Sequence, residues 1–313
     1  MPTSSQGAIR LFRFQGINVF LHWSWFLVAA YEIQSRNGRY SSITWNVLEY
    51  LALFLIVTLH EFGHSLACRQ VGGQANQIVL WPLGGVAYVD PPPRPGATLW
   101  SIAAGPLVNV ALIPIIVGFG RVSFVLGWYA AVPELRTLVH AIFFIDFGLL
   151  IFNILPIYPL DGGQILRALL WFVMGRGRSL LVATILGLIG VVGFIGLAIW
   201  TRSVWYGAIA AFLLLNCWGG LKHARELLRI AKLPRRDGFA CPACQSAPPI
   251  GELWKCGRCG QPFDFFQAQG VCPYCSTQFA STRCMDCGVV RPISDWSSPS
   301  SSLSSTFANE VRS

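Results

Sequence analysis

Residues 45–68 read WNVLEYLALFLIVTLHEFGHSLAC. The run is long and apolar enough to cross a bilayer, which takes about 20 residues, yet it ends in His60-Glu61-Phe62-Gly63-His64. Two histidines four residues apart share one face of a helix and can grip one metal ion. Glu61 then stands beside that ion without ligating it, placed to take a proton from a metal-bound water. With five His and seven Glu in 313 residues, the spacing is expected by chance roughly 0.002 times. Ionisable residues at the end of an apolar helix are costly and mark a polar interior with a task.

The rest of the chain fits this setting. Hydrophobic residues make up 54% and charged residues 12%, against about 25% charged in soluble domains, which excludes a soluble enzyme, a disordered chain and a disulfide scaffold. Further apolar runs cover 97–120, 135–155, 179–200 and 203–221, with a weaker one over Ile17–Tyr31. The expected fold is therefore an all-α polytopic membrane protein of about six transmembrane helices. Between the second and third spans, Gly72-Gly73, Gly84-Gly85 and Pro91–Pro93 break any helix, and residues 77–80 and 86–89 read as short membrane-associated β-strands. The +9 net charge lies wholly within residues 1–237; residues 238–313 carry five basic and five acidic residues. With the N-terminus inside, 13 of the 18 basic residues before 238 fall on the inner side, a bias that predicts both termini in the cytoplasm of a multi-pass cell-membrane protein. No small-residue cleavage site follows the first apolar run, so a secretory signal is not expected. The expected division is a membrane domain over 1–221, a basic juxtamembrane helix over 222–237, a cysteine-rich domain over 238–292 and a disordered Ser-rich tail over 293–313. The juxtamembrane segment reads equally as a helix in the headgroup plane or as the last span running on.

A catalytic zinc typically takes three protein ligands and keeps one open position. The favoured third ligand is Asp161, in FNILPIYPLDGG (152–163). Pro156 and Pro159 break the preceding helix, and Gly162 and Gly163 let backbone approach closely. The competitors are Asp90, in a loop, and Asp146, inside the fourth span, which is read as pairing instead with a polar group such as His140.

HEFGH and the later FNILPIYPLDGGQILRALL together resemble the site-2 protease family of intramembrane zinc metalloproteases, peptidase family M50. The match extends to Pro82–Ala87 and Ala104–Asn109, keeps the family's order, and spans roughly residues 15–220. It implies a zinc metalloendopeptidase in which His60, His64 and Asp161 hold zinc and Glu61 is the general base. Gly84 and Gly85 would lie in the strand that meets an extended substrate, and Asn109 and Asn153 match polar positions near the site. Only 96 residues separate His64 and Asp161, filled by two spans, so no PDZ domain is inserted there. The CBS domains of some relatives are likewise not expected here.

Residues 241–287 hold four CxxC pairs: Cys241/Cys244, Cys256/Cys259, Cys272/Cys275 and Cys284/Cys287. Each pair aims two thiolates at one ion, and two pairs complete a tetrahedral site. The block resembles a double zinc ribbon with two structural ions. Adjacent pairing is expected; a cross-braced pairing of first with third fits the spacing too. Reduced cytoplasmic thiols argue against disulfides. The domain's zero net charge argues against nucleic acid. Trp254, Phe263, Phe265 and Phe266 suit either a protein-docking surface or the small domain's own core. Cys68 and Cys217 read as buried apolar residues.

The implied cofactors are thus one catalytic and two structural zinc ions. The implied partners are the lipid bilayer, membrane-anchored protein substrates and a protein docked on the ribbons. The alternative is a catalytically silent, membrane-tethered zinc-ribbon adaptor. A prenyl-protein-type protease is disfavoured, because it needs a downstream Glu ligand and neither Glu134 nor Glu226 is suitably placed.

Overall fold

The computed structural model describes residues 7–35, 38–81 and 84–296. It divides into two compact units, Met1–Arg225 and Glu226–Ser313.

The first unit is built around the helix that carries HEFGH, α2 (Ile43–Gln70). The N-cap side chain of Ser42 accepts from the Thr44 amide at 3.3 Å, satisfying one of the orphan donors of the first turn. At the other end Gly72 and Gly73 turn the chain back, their amides bonding Arg69 and Cys68 carbonyls. Strands β1 (Ala8–Phe14), β2 (Ile17–His22), β3 (Gln74–Trp81) and β4 (Gly84–Asp90) form one sheet in that order. β2 and β3 pair in parallel, Asn18 opposite Gln77, and β3 and β4 antiparallel, Val79 opposite Val86. The two strands expected at 77–80 and 86–89 are therefore present, and β4 ends the sheet.

The weakest of the six expected spans, Ile17–Tyr31, is not one helix. It divides into β2 and α1 (Ser24–Ser35), only 12 residues long. At 1.5 Å per residue α1 reaches about 18 Å, too short to cross a bilayer core of about 30 Å alone. Ile17, Val19, Ile78 and Leu80 of the sheet cluster with Val57, Phe62 and Leu66 of α2. Trp25, at the start of α1, sets its ring edge-on to Tyr50 and Phe54 one to two turns further toward the start of α2. A strand followed by a short helix thus accompanies α2 over most of its length. Hydropathy sees only a continuous apolar stretch and cannot register the change of backbone at Trp23.

Among the described residues, five helices are long and apolar enough to span a membrane: α2, α3 (Pro95–Val125), α5 (Pro133–Ile154), α6 (Asp161–Thr201) and α7 (Val204–Ala231). A short α4 (Trp128–Ala131) links α3 to α5. The spanning helices carry bare apolar side chains outward: Val173, Ile199, Trp200 and Leu215 are 87%, 72%, 83% and 74% exposed. Such a surface is suited to lipid and not to water. α6 breaks at Gly175, whose φ of 79° lies in the left-handed region. α7 continues unbroken from the last apolar run through Ala231, so the start of the basic segment is a helix running on from that span.

The second unit is small and cysteine-rich. Hairpins β5 (Trp254–Lys255) with β6 (Pro262–Phe263), and β7 (Ser281–Arg283) with β8 (Val290–Pro292), frame two of the knuckles. Its core is Phe263, Phe265, Phe266 and Trp296 packed among four buried cysteines, so these phenylalanines serve the core and are not a docking surface. Residues 293–296, expected in the Ser-rich tail, are ordered: Ile293–Trp296 form a 3-10 turn and Trp296 is 1% exposed. Residues 297–313 lie outside the described residues. Arg235, expected in a basic juxtamembrane helix, instead donates to Asp286 at 2.7 and 3.2 Å. Arg236 donates to Asp264 at 2.7 Å.

Candidate metal centres

Three helices converge on HEFGH. His60 and His64 point from α2 to the first residue of α6, Asp161. The Nε2 atoms of the two histidines lie 3.1 Å apart, and Asp161 Oδ2 lies 3.0 Å from His60 Nε2 and 3.3 Å from His64 Nε2. Ligands about 2.0–2.1 Å from a tetrahedral ion stand about 3.3 Å from one another, so these three atoms outline one face of such a site. Of the carboxylates weighed in the sequence, Asp161 is the one brought to the pair. Its placement depends on a tight turn: a Cβ on Gly162 would lie 2.1 Å from the Ile154 carbonyl oxygen, and one on Gly163 2.4 Å from the Tyr158 nitrogen.

The outer nitrogens are engaged. His64 Nδ1 donates to the Ser101 carbonyl at 2.9 Å, and His60 Nδ1 donates to Asn109 Oδ1 at 2.6 Å. Donation from Nδ1 leaves the lone pair on Nε2, the tautomer a metal requires. Both partners come from α3, which lies against α2 at Gly105. A Cβ there would fall 2.3 Å from His64 Nε2 and 2.8 Å from His60 Nε2. The donor set, its spacing and this cradle fit a zinc ion. Sequence reading found the Ala104–Asn109 block without seeing what Gly105 is for.

Asp146 does not pair with His140, which is exposed on the same helix. It is fully buried and accepts from Asn109 Nδ2 at 2.6 Å. Glu61 follows His60 on α2 and is buried, 5% exposed. Asn153 is half-buried near the end of α5, and Gly84–Gly85 open β4 opposite Trp81 and Leu80.

The cysteines gather into two groups, but neither adjacent nor first-with-third. Cys241, Cys244, Cys284 and Cys287 form one, and Cys256, Cys259, Cys272 and Cys275 the other. The pairing is nested, first pair with fourth around second with third. The ends of the unit are drawn together by the Ala240 amide bonding the Trp296 carbonyl at 2.8 Å. Sulfur separations of 3.6 and 3.8 Å in one group and 3.5 and 3.7 Å in the other exclude disulfides of about 2.05 Å. They match the roughly 3.8 Å edge of a tetrahedron with Zn–S bonds of about 2.3 Å. Knuckle hydrogen bonds favour thiolate: Thr277, 3.2 Å from Cys275 Sγ, holds that thiol down to about 6.

A polytopic bundle whose buried HExxH helix meets a distant Asp is the arrangement of a membrane-embedded metallopeptidase. The family model for peptidase family M50 matches residues 49–127 and 120–197. A zinc metalloprotease of Methanocaldococcus jannaschii is 35% identical over 183 residues, 58% of this chain and 50% of that one. Stage IV sporulation protein FB of Bacillus subtilis is 31% identical over 127 residues, 40% of this chain and 41% of that one. The solved structure of a site-2 protease from M. jannaschii aligns with a TM-score of 0.50 and 28% identity, covering 68% of this chain and 95% of that one. The chain belongs to peptidase family M50, of the site-2 protease type, and is a multi-pass membrane protein. It spans about half the length of the curated relatives it matches.

Proposed function

We propose that this chain is an intramembrane zinc metalloprotease that hydrolyses peptide bonds in or near the transmembrane segments of membrane-anchored proteins. The observation that carries the reading is the buried triangle of His60 Nε2, His64 Nε2 and Asp161 Oδ2, with sides of 3.0–3.3 Å, beside the buried Glu61. These three residues would hold the catalytic zinc, which would lower the pKa of a coordinated water to about 7 and polarise a carbonyl. Glu61 would take a proton from that water as its oxygen adds to the scissile carbonyl carbon, and would pass it to the leaving amine as the C–N bond breaks. A peptide bond within a helix is shielded by its own hydrogen bonds, so a substrate must first be extended. Strand β4, at the end of the sheet, offers backbone groups at Gly84 and Gly85 for strand addition. Asn153, half-buried near the end of α5, is read as a polar contact for the same extended substrate.

The two cysteine groups hold one structural zinc each, giving three ions per chain. The bias of basic residues supports both termini and the ribbons in the cytoplasm, a topology that needs a sixth crossing, over β2 and α1, beside the five long helices.

The test is cleavage of a membrane-anchored reporter in proteoliposomes by wild-type protein and by Glu61→Gln. The variant is expected to keep its full zinc content and lose cleavage. Wild-type turnover by the variant would remove Glu61 as the base, and no cleavage by the wild type with three ions bound would favour the adaptor reading.

A further inference from the structure

The buried carboxylate that the hydrolytic reading leaves unused is Asp146. It lies on α5, is 0% exposed, and receives one hydrogen bond, from Asn109 Nδ2 at 2.6 Å. Its other oxygen, Oδ2, has no partner among the described residues. A carboxylate kept from water for a single hydrogen bond is costly, and it stands one residue away from a metal ligand. Asn109, also 0% exposed, gives its amide hydrogen to Asp146 and accepts from His60 Nδ1 with Oδ1, again at 2.6 Å.

The logic of the chain turns on the two-faced amide. An asparagine side chain can present either oxygen or nitrogen to His60. Inverted, it would donate to Nδ1. The imidazole would then carry its hydrogen on Nε2 and could not ligate a metal. A carboxyl oxygen that carries no proton only accepts, and Asp146 Oδ1 receives the Asn109 Nδ2 hydrogen at 2.6 Å, so that acceptor at the far end selects one orientation.

We propose that Asp146 is a positioning residue: it locks the Asn109 amide so that His60 is held in the tautomer that binds metal. This rests on the reading of His60, His64 and Asp161 as a metal site. It also makes a coupling prediction that packing alone does not. If Asp146 acts only by orienting the amide, it becomes dispensable once residue 109 cannot invert. Aspartate at 109 is such a residue, because both of its oxygens accept from His60.

The test uses the full-length protein in detergent, loaded with cobalt, and reads affinity by chelator competition. The thiolate charge-transfer band reports the ribbons, and the weaker ligand-field absorption of a nitrogen–oxygen site reports the membrane centre. Asp146→Leu is expected to weaken cobalt binding at the membrane centre about 10- to 100-fold, with the thiolate band unchanged. N109D combined with D146L is expected to restore wild-type affinity. Unchanged affinity in D146L, or a double variant as weak as D146L, would overturn the proposal. If D146L alone does not fold, the double variant decides: wild-type affinity supports the relay and loss of the metal overturns it. Failure of the wild type to bind cobalt outside the ribbons is a different result, because it removes the metal site itself.

Discussion

The membrane unit and the ribbon unit each build metal-ligand clusters from short sequence motifs, and they differ in how the halves meet. In the membrane unit a helical i, i+4 pair, His60 and His64, is completed by a single carboxylate about a hundred residues on. In the ribbon unit four identical CxxC half-sites combine two by two. The first assembly is legible from the chain because an apolar sequence offers few alternatives: three carboxylates competed, and only Asp161 lies between a broken helix and a pair of glycines. The second is degenerate. Eight equivalent thiols at near-equal spacing permit several pairings, and the nested one goes with the backbone hydrogen bond between Ala240 and Trp296 that joins the ends of the unit. Unique chemistry identifies its partner from afar, whereas repeated chemistry leaves the choice to the fold.

The sharpest way to break this contrast is at Gly105. Gly105→Val is expected to abolish metal binding at the membrane centre, since even a Cβ there would lie 2.3 Å from His64 Nε2. Elemental analysis should then find two zinc ions per chain where three are expected for the wild type; three ions in the variant would mean the histidines are not the ligands.

Next in size is a test of the nested pairing. Cys241→Ser and Cys284→Ser should each release the same ion, so combining them should cost little more than either alone. Cys241→Ser with Cys256→Ser should empty both ribbon sites. Cadmium-113 NMR of the substituted protein separates the two sites, and the reverse pattern would restore adjacent pairing.

A smaller effect is expected at Trp296. Its indole packs at 4.9 Å from the Phe266 ring in the ribbon core. Trp296→Ala should destabilise that unit by about 3–5 kcal/mol, as for a large core side chain. Proteolysis of the ribbons as a function of denaturant would read this, with cobalt absorption at the membrane centre unchanged. An equally stable ribbon would place the end of the domain before Ile293, where sequence composition put it.

Much of the membrane unit was legible because its signals are local. A run of apolar residues must be a helix or closed sheet to satisfy its backbone in lipid, and HEFGH at the end of such a run declares its purpose. The Ile17–Tyr31 segment escaped the same reasoning. A strand and a short helix in tandem satisfy their backbones against β3 and within α1, and their composition is that of a weak span. Asp146 was misread for another reason. Proximity along a helix suggested His140, but that side chain turns outward, and the true partner, Asn109, lies 37 residues away on α3.

By itself the sequence determined the polytopic class, the two-histidine face with its adjacent Glu61, the distant Asp161 and the presence of four thiolate half-sites. Each of these follows from spacing on one element or from the rarity of a polar residue in an apolar run. Only the tertiary structure decided which CxxC joins which, why Gly105 has no side chain, and that Asn109 bridges Asp146 to His60. These depend on contacts between elements far apart in the chain, where hydrogen-bond direction and steric fit act and spacing carries no information.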